Sequence, residues 1–196
     1  MKPILAFSIH GLGLRRIILF AVVSCCFCLI GRAEIQPQTL RKTLDRPVEI
    51  QGYPCAKGYA WFFADGKLAH CTVSRSIAFG EATIPAGSWI TLLGDGRPQI
   101  AQMKHDAKVA GITCMGGSWL GPSEGAMTAF YPSGKLKQCF LAGDQTVQRV
   151  PCMNGGMLGD GMGSGAEFYE NGKLKSCKLT RDFGGLPKGN RYVQGP

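Results

Sequence analysis

The chain has 196 residues, with 22 Lys/Arg against 13 Asp/Glu for a net charge of +9, and 45% of its residues are hydrophobic. That length suits a single domain, and the excess of cations favours an anionic surface without naming one. The longest apolar run, IILFAVVSCCFCLI at 17–30, falls short of the about 20 residues that a transmembrane helix requires.

That run sits in a recognisable frame. Residues 1–16 carry Lys2, Arg15 and Arg16 and no acid, and Gly31-Arg32-Ala33 follows the run with small residues at the −3 and −1 positions. This is the pattern of a signal peptide over 1–33, with cleavage expected after Ala33. The runner-up is a lipoprotein, because Val22-Val23-Ser24-Cys25 resembles a bacterial lipobox. A retained anchor is the third reading. Cleavage would remove four of the 22 Lys/Arg and none of the 13 Asp/Glu, leaving 18 against 13, a net +5. It would also remove Cys25, Cys26 and Cys28, leaving six of nine cysteines. An even number in an exported chain points to disulfides. Residues 34–47 read as a linker and 48–196 as the folded domain.

Within that domain one phrase recurs. FFADGKLAHC at 62–71, FYPSGKLKQC at 130–139 and FYENGKLKSC at 168–177 share an aromatic start, a turn, Gly-Lys-Leu and a cysteine. Asn171-Gly172 between apolar residues signals a β-hairpin. Pro132 selects the turn. In a two-residue loop it would occupy the hydrogen-bonded closing pair without an N–H. A three-residue loop instead places it at the first corner of a type I turn, with Gly134 in the left-handed position. That loop pairs Phe62 with Leu68, Phe130 with Leu136 and Phe168 with Leu174 toward the core. The other face then carries Tyr169 beside Lys173, and Glu167 opposite Lys175.

A less obvious copy lies at 92–103, where Leu93-Gly94-Asp95-Gly96-Arg97 aligns with Phe63-Ala64-Asp65-Gly66-Lys67. The turn glycines fall at 66, 96, 134 and 172, in steps of 30, 38 and 38. A second phrase joins the hairpins: Asp106-x-x-Val109-x-x-Ile112-x-Cys114 matches Asp144-x-x-Val147-x-x-Val150-x-Cys152. Spacings of this size predict an all-β array of four stacked hairpin units, about 48–83, 84–109, 110–147 and 148–185. Residues 186–196 begin the connector again and stop, and are expected to cap the array by pairing with its last unit.

The repeat suggests a pairing for the cysteines. Units one, three and four each carry two: Cys55 and Cys71, Cys114 and Cys139, Cys152 and Cys177. Unit two carries neither, with Ala86 and Ala101 aligned in their places. Because the two are lost together, pairing within each unit is the economical choice among the connectivities that six cysteines allow. Structural zinc is disfavoured because these six contain no C-x-x-C pair. Leu174 and Cys177, three apart, would fall on opposite faces of a flat strand. Either a bulge intervenes or both faces are covered.

The Phe-Tyr-x-Asn-Gly-Lys-Leu-Lys phrase resembles the bacterial MORN-variant repeats, built from β-hairpins carrying Tyr-x-x-Gly-x. The match spans about ten residues in each of three units; the cysteine pairs and the Pro-x-Gly connector depart from it. The resemblance implies an elongated sheet of successive hairpins and a scaffold or binding role. It implies no catalytic residue.

Chemistry-bearing patterns are sparse. Gly121-Pro122-Ser123-Glu124-Gly125 matches G-x-S-x-G, but no histidine follows residue 105 to complete a hydrolase triad, and a turn is the better reading. His70 adjoins Cys71, yet strand neighbours point to opposite faces and make a poor dyad. The glycine-rich 153–165 stretch holds Met153, Met157 and Met162, which could ligate copper(I). The parallel stretch in unit three aligns Trp119 with Met157, which argues for packing instead. No nucleic-acid-binding or cofactor pattern appears. Two features remain. A cation follows every hairpin turn, at Lys67, Arg97, Lys135 and Lys173, and hairpins in register would line these up as an anionic-ligand stripe. Solvated turn lysines that guard an edge are the plainer account. Trp119 and Leu120 in a long loop could form a partner contact.

The sequence thus predicts an exported, all-β, disulfide-stapled hairpin array. It would be periplasmic, outer-membrane-associated or secreted, and a non-enzymatic scaffold or binding module of the bacterial cell envelope. Its expected partner is an anionic envelope polymer, a lipid headgroup or another envelope protein. The competing reading is a small envelope hydrolase or a metal-handling protein.

Overall fold

The structure is a computed structural model that describes residues 39–117, 127–155 and 165–196. Residues 1–33, where the sequence predicts a signal peptide, lie outside these residues. The described residues form 17 strands and no helix.

Four wide hairpins run side by side: β3 (Tyr53–Phe63) with β4 (Leu68–Val73), β7 (Trp89–Leu92) with β8 (Pro98–Gln102), β11 (Met127–Phe130) with β12 (Leu136–Cys139), and β15 (Ala166–Phe168) with β16 (Leu174–Lys178). With β1 (Thr39–Leu44), β2 (Val48–Ile50) and β17 (Arg191–Val193) they make one antiparallel sheet of eleven strands, ten of them neighbours in chain order and β2 paired with β3 off that path. Each wide hairpin closes as the proline argument requires. Phe63, Leu93, Tyr131 and Tyr169 donate their N–H to the carbonyls of Lys67, Arg97, Lys135 and Lys173, four residues on. Gly66, Gly96, Gly134 and Gly172 hold φ near +82 to +84°, which only glycine adopts without strain. The expected pairs follow: Phe62 with Leu68, Phe130 with Leu136, Phe168 with Leu174, and Leu92 with Pro98 in the second hairpin.

Past each turn the register slips by one residue, at Ala69, Gln99, Lys137 and Lys175. This bulge answers the Leu174–Cys177 problem. Glu167 pairs with Ser176 and Phe168 with Leu174, so Lys175 is the extra residue. Leu174 and Cys177 therefore face the same way, and both are buried. Lys175 still reaches Glu167 in an ion pair of 3.2 Å.

Between the wide hairpins lie narrow ones: β5 (Ile77–Phe79) with β6 (Ala82–Ile84), β9 (Ala107–Val109) with β10 (Ile112–Cys114), and β13 (Gln145–Val147) with β14 (Val150–Cys152). The unit boundaries read from sequence, at 109/110 and 147/148, cut two of these through their turns. Two-residue turns with both φ positive close β9/β10 at Ala110-Gly111 and β13/β14 at Gln148-Arg149. That geometry matches strand twist, which is why such turns are favoured in hairpins. The turns of β2/β3 and of two narrow hairpins also tie down the wide ones. Gln51 Oε1 accepts from Leu68 N at 3.0 Å, Gln148 Oε1 from Leu174 N at 3.0 Å, and Glu81 Oε2 from Leu136 N at 3.4 Å. Gly80 is required for the last of these contacts, since a Cβ there would fall on the Gly134 carbonyl.

The core is one apolar cluster on the inner face, drawing on both hairpin types: Phe62, Leu68, Phe79, Ile84, Ile90, Phe130 and Leu174 among others. Two expectations change here. Residues 34–47 are not all linker: Thr39–Leu44 is an edge strand, pairing over its whole length with Gly58–Phe63 of β3. Its TLRKTL sequence is almost wholly exposed and lacks the strong apolar alternation that signals a strand. At the far edge β17 pairs with β16 as the cap reading expects. The fifth connector starts earlier than 186, with a Phe183–Leu186 bridge across Gly184-Gly185.

Candidate binding face

Cys55 and Cys71 form a disulfide with Cα atoms 5.8 Å apart, and Cys152 and Cys177 another at 5.7 Å. Both bonds stay within a unit, as expected. The third pair departs from expectation: Cys114 and Cys139 lie together in the core as hydrogen-bonded thiols, not a bond. The register places Thr128 across from Cys139, where Ala60 faces Cys71 in the first hairpin. Thr128 is fully buried and its hydroxyl has no hydrogen-bond partner among the described residues, so this corner is packed differently. The hydrogen bond with Cys114, reinforced by burial, pushes the Cys139 thiol far above the ordinary range. It carries no reactive thiolate at neutral pH.

Unit two needs a second correction. Ile84, not Ala86, occupies the first cysteine place. Ile84 pairs with Ile77 just as Cys114 pairs with Ala107 and Cys152 with Gln145. Ala86 is exposed, two residues further on. The Ile-Pro and Val-Pro phrases look alike in sequence, but the turn positions set the register. Ala101 does hold the second place, facing Ile90.

Three of the four post-turn cations are engaged within the protein. Lys67 pairs with Asp65 at 3.0 Å and donates to the Gly94 carbonyl of the next wide turn at 3.1 Å. Arg97 pairs with Asp95 at 2.6 Å and donates to the Pro132 carbonyl of the turn after it at 3.3 Å. Lys135 pairs with Glu81 at 2.5 Å. Hydrogen bonds from Lys67 and Arg97 hold the Asp65 and Asp95 carboxyls below the usual range. Lys67 also lines a shallow, open, polar cleft with Gln51, Tyr53 and Asp95. Three of the four cations thus face a carboxylate, and the row is a chain of turn-to-turn ties more than a bare basic edge.

Other candidates resolve as follows. His70 is on the outer face while Cys71 is locked in its disulfide, so no cysteine–histidine dyad exists there. Among the described residues no cluster of His, Cys, Asp and Glu could hold a metal ion. Trp119, Leu120, Ser123, Met157 and Met162 lie outside the described residues.

What sequence reasoning missed lies on the outer face of the wide sheet. One row of cross-strand partners crosses it, from Arg41 on β1 through Trp61, His70, Thr91 and Ile100 to Val193 on β17. A neighbouring row links Thr72, Trp89, Gln102 and Met127. At the β1 end these rows gather aromatic rings. Trp61 and Trp89 stand 4.8 Å apart between centroids, and His70 lies 6.3 and 6.0 Å from them. Tyr59, half exposed, sits 6.1 Å from Trp61, with Arg41 over its ring at 4.5 Å. His70 Nδ1 contacts Thr91 Oγ1 at 3.0 Å, and burial pushes its pKa below the ordinary value, leaving it uncharged at neutral pH. The far end of the face differs: Glu167 there is ion-paired with Lys175 and Arg191. A signal existed in the sequence. Carrying the bulged register from one hairpin to the next would have aligned Trp61, His70 and Thr91 and set Trp89 beside them.

No protein-family model, no curated protein and no solved structure matches the chain.

Proposed function

We propose that this chain is an exported, non-enzymatic repeat scaffold of the bacterial cell envelope that binds its partner on the outer face of the wide sheet. The observation that carries this reading is the cluster of Tyr59, Trp61, His70 and Trp89 on that face, outside the core. Aromatic rings contribute most when buried, so partly exposed rings gathered on a rigid sheet are available area for a ligand. Support also comes from rigidity: disulfides, bulged turns and turn-to-turn ties fix the strands that present these rings. The expected partner is an anionic envelope polymer; a lipid headgroup or another envelope protein are the outcomes that would redirect it.

The test is retention. Exported protein is incubated with purified sacculi, envelope polysaccharide and anionic vesicles, and bound protein is measured after sedimentation. Saturable retention on one of these supports the reading. Passage of folded protein through all three would overturn it.

A further inference from the structure

Resting on that reading, we infer that the ligand is an acidic glycan strand, lying across the wide sheet on Trp61, Trp89 and Tyr59 with Arg41 facing its carboxylates. Three features of the face select this chemistry.

The first is the mixture of groups. The rings alternate with hydrogen-bonding side chains, His70, Thr72, Thr91 and Gln102, in the same two rows. A bilayer surface calls for a continuous apolar patch with flanking cations. A pyranose presents the opposite combination, an apolar C–H face that stacks on a ring and hydroxyls around its rim that need donors and acceptors. The second is shape. Side chains of adjacent strands stand about 4.8 Å apart across a sheet, close to the length of one pyranose unit. A glycan crossing the strands would therefore meet a new side chain with each sugar. Peptides that dock on sheets do so by pairing with an edge strand, whereas these rings lie on the face of β3 and β7, which have a strand on either side.

The third is charge. The outward positions of β1, β3, β4, β7 and β8 identified by the register include no carboxylate, and Arg41 lies among them. Arg41 is held over Tyr59, so its guanidinium sits at the ring surface where a stacked sugar would place its substituents. Arginine takes a carboxylate through two parallel N–H donors, which a lysine cannot do. The partly exposed rings give affinity for any pyranose; Arg41 gives preference for an acidic one.

The experiment titrates the exported protein with uronic-acid oligomers, neutral cello-oligomers of equal length, and phosphatidylglycerol vesicles, reading tryptophan fluorescence and calorimetric heat. The acidic oligomers should bind, the neutral ones more weakly, the vesicles not at all. Trp61→Ala and Trp89→Ala should each weaken binding by about tenfold, the scale of one aromatic contact. Arg41→Gln should remove the preference for acid while leaving neutral binding in place, and Lys173→Gln, on the turn edge, should change nothing. Trp61→Phe and Trp89→Phe keep the sheet packed and should retain most of the affinity, which separates lost stacking from lost fold. Absence of binding to both oligomers by folded parent protein would overturn the inference, as would binding that ignores the tryptophan substitutions. Retention on sacculi or vesicles in those cases would leave the broader binding role standing, whereas oligomer binding without envelope retention would sink that role and keep this site.

Discussion

The second and fourth wide hairpins close with the same turn, stand in the same sheet and bury equivalent positions, yet only the fourth is covalently stapled. Cys152–Cys177 joins its narrow hairpin to its wide one. In the second, Ile84 and Ala101 occupy those places, both fully buried. One bulky and one small apolar side chain substitute for two linked sulfurs, so the geometry does not depend on the bond. What the bond changes is the unfolded chain: it closes a loop of 25 residues of separation and so restricts the denatured ensemble. The second hairpin, with no such restriction, must gain its stability from packing alone.

The strongest way to break this contrast is to remove the staple. Cys152→Ala with Cys177→Ala should lower the stability of the domain by about 3.5 kcal/mol, from the loop-entropy relation applied to that separation. The check is a urea titration of parent and double variant followed by circular dichroism. A loss below about 1 kcal/mol would mean that the fourth hairpin, like the second, is held by packing.

The reciprocal change tests the unstapled hairpin. Ile84→Ala removes the larger partner of a buried pair that nothing covalent backs up. It should cost about 3 kcal/mol, within the range for truncating a fully buried isoleucine. Ala86→Gly, at the place that phrase matching would have chosen, should cost far less because Ala86 is exposed. Equal losses from the two substitutions would contradict the register described for β6.

That last contrast marks where sequence reading ends. The turns were legible because their chemistry is local: Pro132 excludes a two-residue loop, and Gly66, Gly96, Gly134 and Gly172 declare a left-handed residue. The strand partners next to those turns followed at once. The two disulfides, Cys55–Cys71 and Cys152–Cys177, were legible from the joint absence of both cysteines in the second hairpin. The narrow hairpins were harder, since Val109-Ala110-Gly111-Ile112 and Val147-Gln148-Arg149-Val150 share a pair of left-handed central residues but no central residue type, and in Phe79-Gly80-Glu81-Ala82 only Gly80 is left-handed. Their similarity lies in backbone angles that Gln148 and Arg149 do not announce. Edge strand β1 went unread for a related reason, as an edge needs only one partner and little apolar surface. The aromatic face was scattered across three strands, and it appears only when every bulge between them is counted.

The smallest expected effect concerns what the two hairpins share, the cation after the turn. Arg97 makes two kinds of contact: an ion pair with Asp95 in its own turn, and a hydrogen bond to the Pro132 carbonyl in the next wide turn. Both are exposed, and exposed ion pairs contribute little. The two can be separated because Asp95 has a second role: its Oδ1 accepts from the backbone N–H of Arg97. Asp95→Asn keeps that acceptor and removes the charge together with the Oδ2 acceptor that the Arg97 guanidinium uses. Arg97→Gln removes the ion pair and the inter-turn bond together. If the ties between turns matter to the array, Arg97→Gln should lower the melting temperature more than Asp95→Asn, each by no more than about 2 °C. The pH dependence has a definite sign. Asp95 has its carboxyl pKa depressed by the Arg97 hydrogen bonds, so the charge contribution is present above the ordinary carboxylate value and is lost as pH falls through the lowered one. Below that point Asp95→Asn should melt with the parent, while Arg97→Gln should still melt lower, because a carbonyl acceptor at Pro132 does not titrate. Convergence of all three proteins at low pH would show that Arg97 serves its own turn only, and that the second hairpin is joined to the third by the sheet ladder and core without help from the turn edge.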